Sequence, residues 1–152
     1  MSYTHSNVVA VVLRNAEGEV LLFERKDTKR YPHTYCLPCG RVDPGDTLRF
    51  AAARETREEI GIEVDEHGLE LLAIMDRPNW PNAEAPRVLE TYFVAKSWVG
   101  TPVNKEPEKH HDPRWVALDD LPDNLHAYTR DALANLDKGN MMYKVYLQGE
   151  PL

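Results

Sequence analysis

The stretch from Thr47 to Gly61, Thr-Leu-Arg-Phe-Ala-Ala-Ala-Arg-Glu-Thr-Arg-Glu-Glu-Ile-Gly, constrains this chain more than any other. It reads as a helix over Asp46–Ile60. Thr47 can cap its N-terminus, and Gly61 stands where a C-terminal glycine ends a helix. Successive helical residues lie about 100° apart. Glu55, Glu58 and Glu59, at i, i+3 and i+4, therefore share one side, with Ala51 one turn earlier. Phe50, Ala53, Thr56 and Ile60 fall on the other side and are expected to face the core. Like charges at this spacing cost a few tenths of a kcal/mol. Arg54 and Arg57 can balance them on a solvated face, with Arg54 pairing Glu58 at i+4. On the glutamates alone, that solvated face is the favoured reading.

The segment that enters the helix changes the weighing. Leu37-Pro38-Cys39-Gly40-Arg41-Val42-Asp43-Pro44-Gly45-Asp46 turns the chain sharply, and its glycines allow close backbone approach. Such a loop can set a backbone carbonyl beside the helix carboxylates. Hard cations such as Mg²⁺ favour carboxylate and carbonyl oxygens. Loop and helix together make a cation site, and phosphate is the natural ligand of a cation held there.

The remaining elements indicate mixed α/β architecture in one domain, residues 1–152. Asn7–Leu13 is a β-branched run expected as a buried strand. It is followed by a turn at Asn15–Gly18 and a second strand, Glu19–Arg25, so the pair reads as a hairpin. Thr34–Pro38 is short and extended, limited by Pro38, and Gly40–Gly45 reads as turn. Leu69–Met75 and Arg87–Lys96 read as strands around a proline-rich loop, Pro78–Pro86. A charged loop, Pro102–Pro113, precedes a strand at Arg114–Leu118, a helix at Leu125–Leu136 and a terminal strand at Met141–Leu147.

Gly40, then Asp46, then Arg54-Glu55, Glu58-Glu59 and Gly61-Ile62 stand at the spacing of the Nudix box, and the chain resembles that family. Two positions depart. Asp46 replaces the first glutamate, which keeps the charge but shortens the reach. Thr56 replaces an aliphatic residue on the buried side, and its hydroxyl can bond back to a carbonyl one turn earlier. The resemblance implies a Nudix-type α/β/α sandwich with a mixed central sheet. It implies Mg²⁺-dependent hydrolysis of a nucleoside diphosphate derivative, with Mn²⁺ able to replace Mg²⁺. Glu55, Glu58, Glu59 and the Cys39 carbonyl are the implied metal ligands. Arg54 is implied to orient a glutamate, and a later-loop glutamate, Glu108, is the candidate general base. Arg25, Trp80 and Tyr92 are candidate substrate contacts. The tail from Glu106 to Pro122 resembles the MutT-like nucleoside-triphosphate branch. Nucleotide sugars, dinucleoside polyphosphates and a non-hydrolysing nucleotide-binding module are the alternatives.

Composition sets the remaining bounds. Net charge is −7, with 25 acidic against 18 basic residues, so no footprint for a nucleic-acid polymer is expected. No run approaches the roughly 18 apolar residues of a membrane helix. The N-terminus lacks a basic region followed by an apolar stretch, so a cytoplasmic location is expected. A homodimer is the default oligomeric expectation. The two cysteines, Cys36 and Cys39, form Cys-Leu-Pro-Cys. Turn follows them rather than helix, and His110-His111 is a poor second half of a zinc site. They are expected to be reduced thiols.

Overall fold

A computed structural model describes residues 4–78 and 87–147. Its elements are β1 (Ser6–Leu13), β2 (Val20–Glu24), β3 (Tyr35–Cys36), β4 (Cys39–Arg41), α1 (Leu48–Ile60), β5 (Glu70–Pro78), β6 (Arg87–Ala95), β7 (Arg114–Val116), α2 (Ala127–Ala134) and β8 (Met142–Val145), with a 3-10 turn at Glu66–Gly68 before β5. One sheet has the order β4-β1-β6-β5-β8 and the other β3-β2-β7. The larger sheet is mixed: β1 runs parallel to β6 and antiparallel to β4, and β5 is antiparallel to β6 and parallel to β8.

Alternation along the central strands explains the layers. Successive strand side chains point to opposite faces. Val9, Val11 and Leu13 of β1 join Ala51, Ala52 and Ile60 of α1 in one apolar cluster. Ala10 and Val12 join Tyr92, Tyr128, Ala132 and Leu133 in another. β1 is therefore buried on both faces, with α1 over one and α2 over the other. This is the expected α/β/α sandwich with a mixed central sheet. Among the described residues, no helix is long and apolar enough to cross a membrane.

The structure corrects three local expectations. β1 and β2 do not form a hairpin. Beyond their turn they meet at the bridge Arg14–Val20, and β2 then joins the smaller sheet. The reason is that β6 occupies one edge of β1 along its length and β4 takes the other edge over Val8–Ala10. Second, Cys39–Arg41 is a strand rather than turn. The Val11 N–H donates to the Pro38 carbonyl at 2.9 Å, and pairing continues to Val8–Arg41. Leu37-Pro38 is where the chain steps from β3 in one sheet to β4 in the other. Third, Phe50 is 47% exposed, whereas Ala51 and Ala52 are buried. The buried side of α1 is thus rotated towards Ala52, Thr56, Glu59 and Ile60.

Helix α1 begins and ends as its sequence indicates. The Thr47 side chain accepts from the Phe50 N–H at 3.1 Å. Gly61, at φ 71°, takes the left-handed conformation and donates its N–H to the Arg57 carbonyl. Thr56 Oγ1 donates to the Ala53 carbonyl at 2.8 Å, satisfying a hydroxyl inside the core.

Candidate active site

The site forms where β4 runs against α1. A Cβ added at Gly40 would overlap the Glu55 carboxylate, so glycine there is what lets strand and helix approach. The Cys39 N–H donates to Glu59 Oε2 at 2.9 Å. In the β1–β4 ladder, Val11 N–H takes the Pro38 carbonyl and Val42 N–H takes the Asn7 carbonyl. The Ala10–Cys39 pair between them is therefore non-hydrogen-bonded. Both backbone groups of Cys39 leave β4 on its outer edge, towards α1. The carbonyl assigned by resemblance as a ligand thus lies on the side of the sheet where the glutamates stand.

The three glutamates differ in environment. Glu59 is 8% exposed. Burial pushes its carboxyl well above the usual range, the Cys39 N–H opposes that shift, and neighbouring Glu55 and Glu106 add to it. Glu55 is half-buried and is also pushed up by burial, with Arg54 opposing. The Glu58 side chain is 52% exposed. Arg54 ties the group together. It donates to Glu55 Oε1 at 2.9 Å, to Glu58 Oε2 at 3.3 Å and to the Arg41 carbonyl at 3.0 Å, and it lies 3.4 Å from both Asp43 and Asp46. Asp46, the departure from the box, reaches Arg54 despite its shorter side chain.

A later loop completes the cluster. The Val103 and Lys105 N–H groups donate to the Ile60 and Glu59 carbonyls, each at 2.9 Å, which fastens the loop to the C-terminal turn of α1. The Glu106 N–H donates to Asn104 Oδ1, and the Lys109 and His110 N–H groups both donate to the Glu106 carbonyl. As a result Glu59, Glu106 and His110 each present a ligand atom within 4.8 Å of the others. Glu108 was the candidate from the sequence, but it is exposed. The turn closed on the Glu106 carbonyl brings Glu106 to the helix and leaves Glu108 outside. Sequence reasoning missed Glu106 and His110 as partners of Glu59. Their signal was Asn104 two residues before Glu106, an Asx turn that anchors it.

This donor set fits a hard divalent ion. It combines carboxylate oxygens with a backbone edge and holds two carboxyl groups in surroundings that disfavour their negative charge. Neither thiol shares that role. Both are free, and burial pushes the Cys36 thiol well up, which keeps it protonated.

Beside the cluster opens a cleft of about 470 Å³, with Cys39 and Gly40 in its wall. Arg25, Lys29, Arg30 and Arg41 line it as well, so the cleft that adjoins β4 has a basic lining. Arg25 is at the end of β2 as expected, its Nε donating to the Arg30 carbonyl at 3.2 Å. Tyr92 is a correction: it is 0% exposed, and its hydroxyl shares a hydrogen bond with Thr129. It belongs to the inner wall and offers no open ring face, because its β6 position points into the α2-side core. Aromatic rings that do line the cleft are Tyr31 and Tyr128, with His126 between them at centroid distances of 4.6 and 4.9 Å. The Arg77 guanidinium lies over Tyr128 and pairs with buried Glu90 at 2.7 Å. Trp80, the other aromatic candidate, lies outside the described residues.

Residues 4–136 match the profile of the NUDIX domain. The chain is 30% identical over 113 residues to the NAD-capped RNA hydrolase NudC of Stutzerimonas stutzeri, covering 74% of this chain but 37% of that one. It is 28% identical to the RNA pyrophosphohydrolase of Erythrobacter litoralis, with 80% and 81% covered. It is 27% identical to the 8-oxo-dGTP diphosphatase of Haemophilus influenzae, with 74% and 78% covered. Among solved structures, a MutT NUDIX hydrolase from Burkholderia pseudomallei superposes with a TM-score of 0.76 at 29% identity, over 88% of this chain and 98% of that one.

Proposed function

This chain belongs to the NUDIX domain family, and on that premise we propose that it is a Mg²⁺-dependent pyrophosphohydrolase that converts a nucleoside or deoxynucleoside triphosphate and water to the monophosphate and pyrophosphate. The observation that carries the reading is the convergence of Glu55, Glu59 and Glu106 where β4, α1 and the later loop meet, at the edge of a basic cleft.

Each residue has a role that its position supports. Glu55, Glu58, Glu59 and the Cys39 carbonyl would hold the divalent ion. Bound there, it neutralises phosphate oxygens and acidifies water. Arg54 fixes Glu55 and Glu58 by charge-assisted hydrogen bonds and so limits the freedom of two ligands. Glu106, on a loop bonded to α1, takes the proton of the attacking water in this reading. Arg25 and its basic neighbours receive the phosphates, and the rings of Tyr31 and His126 offer an apolar wall for a base.

The basic cleft also supports a second reading, a 5′-phosphorylated or capped RNA end. Two of the relatives are named as RNA hydrolases. The expectation that net charge excludes nucleic acid therefore loses its support: total charge is −7, yet the cleft itself is lined with cations. Product analysis with Mg²⁺ across triphosphates, oxidised triphosphates, nucleotide sugars, dinucleoside polyphosphates and triphosphorylated RNA tests both. Monophosphate and pyrophosphate from a triphosphate, lost in Glu59→Gln, is the expected result. Thermal protection by a nucleotide without turnover would establish a binding module instead.

A further inference from the structure

We propose that His110 supplies an imidazole nitrogen to the metal site, which raises the affinity of the site for Mn²⁺ relative to Mg²⁺ above that of an all-oxygen site. This rests on the reading that the glutamates of α1 hold a divalent ion. It adds a nitrogen donor from outside the acidic helix.

His110 is held in place from four directions. Its ring packs on Phe23, with centroids 4.2 Å apart. Its backbone bridges Arg25 of the chain leaving β2. Its N–H donates to the Glu106 carbonyl at 3.1 Å, and its own carbonyl accepts from Asn104 Nδ2 at 2.8 Å. The residue is 4% exposed. The imidazole is therefore packed where a nitrogen can meet Glu59 and Glu106, not on a mobile surface arm.

The distances suit a shared ion better than a direct bond. His110 Nδ1 lies 4.0 Å from Glu106 Oε2, which is outside hydrogen-bond range. Donors at about 2.1 Å from one ion stand about 3 Å apart when adjacent and about 4.2 Å apart when opposite. The ligand atoms of Glu59, Glu106 and His110 lie within 4.8 Å of one another, so small side-chain rotations bring Glu59, His110 and one oxygen of Glu106 onto one ion and leave the other Glu106 oxygen free to take the proton of the attacking water. Oxygen donors alone suit Mg²⁺. Replacing one with imidazole raises relative affinity for first-row transition ions.

The test is three-pulse electron spin-echo envelope modulation on the full chain loaded with Mn²⁺. Nitrogen-14 modulation is expected in the wild type and in His111→Gln, an exposed neighbour, and is expected to vanish in His110→Gln. The ratio of Mn²⁺ to Mg²⁺ affinity, from competition titration, should fall roughly tenfold or more in His110→Gln. Wild-type protein labelled with ¹⁵N-histidine gives an independent reading that needs no variant to fold: the ¹⁴N pattern must be replaced by that of ¹⁵N. Bound Mn²⁺ without histidine coupling overturns the proposal and leaves the glutamate site standing. Failure to bind Mn²⁺ at all overturns both.

Discussion

The backbone N–H of Cys39 donates to Glu59 Oε2 across 2.9 Å and twenty residues of sequence. This bond joins the edge strand β4 to the most buried glutamate of α1. It uses one carboxylate oxygen and so orients the side chain within the cluster. Strand and helix can come this close because residue 40 has no side chain.

Gly40→Ala should therefore act on chemistry more than on folding. The new methyl overlaps the Glu55 carboxylate, and misplacing such a group by about 1 Å costs on the order of 100-fold in rate. Gly45→Ala supplies the contrast. Its φ is +93° with nothing within 4 Å of an added Cβ, so it carries backbone strain of roughly 1–2 kcal/mol and lowers the melting temperature by several degrees with kcat nearly intact. Steady-state kinetics and thermal unfolding of both variants check this. Equal kcat in the two would refute the close-approach argument.

Arg54→Lys should lower kcat/KM and apparent Mg²⁺ affinity by roughly 10–100-fold. Arg54 serves Glu55, Glu58 and the Arg41 carbonyl at once through a planar fork. A lysine ammonium has neither the geometry nor the donor count to do so. Metal titration together with kinetics reads the effect, and wild-type metal affinity in this variant would remove the orienting role.

Glu106→Gln should lower kcat by about 100- to 10,000-fold, the range for loss of a general base, whereas Glu108→Gln should stay near wild type. Glu106 is gathered to Glu59, and Glu108 is solvent-exposed. The reverse ranking would return the role to Glu108.

Acid should weaken the metal-free fold in part through His126. Burial, then Arg77 and Arg25, lowers this imidazole to about 4 from an ordinary 6.5. As pH falls, the unfolded chain takes up its proton first. The stability from keeping His126 neutral is complete above about pH 6.5 and is lost between there and about pH 4. His110 is lowered to about 4 as well, by burial first and then Arg25 and Lys109, so part of the effect belongs to it. The drop in melting temperature between pH 7 and pH 5 should be smaller in His126→Gln than in wild type. An unchanged drop would show that His126 does not contribute.

Glu90→Gln should destabilise by about 3–5 kcal/mol, the usual cost of breaking a buried ion pair by removing the charge of one member. Arg77 and Glu90 are both under 10% exposed and 2.7 Å apart. Denaturant unfolding measures it, and a loss below about 1 kcal/mol would place the pair's charges in contact with water.

Much of the site was legible because it is local. The limits of α1 follow from Thr47 and Gly61, and the shared side of Glu55, Glu58 and Glu59 follows from helical spacing. Neither depends on what the helix packs against. The strand runs at β1, β5, β6 and β8 were likewise readable from their apolar patterns, as was the mixed α/β class. Where local patterns were equivocal, the outcome lay with tertiary partners. Phe50 and Ala52 both suit a core-facing position on an isolated helix, and the direction in which α1 lies on β1 exposes the first and buries the second.

What the sequence by itself determined is the acidic helix, its caps and its distance from Gly40. These are set by bonds and turns within a few residues of each other. What only the tertiary structure decided is which further groups join the helix. Cys39 reaches Glu59 because β4 pairs with β1. Glu106 and His110 arrive because the later loop hydrogen-bonds to the end of α1. Tyr92 is lost to the interior because β6 is covered by α2. Each is a contact between segments far apart in the chain, and its position depends on sheet order and packing direction rather than on spacing along the sequence.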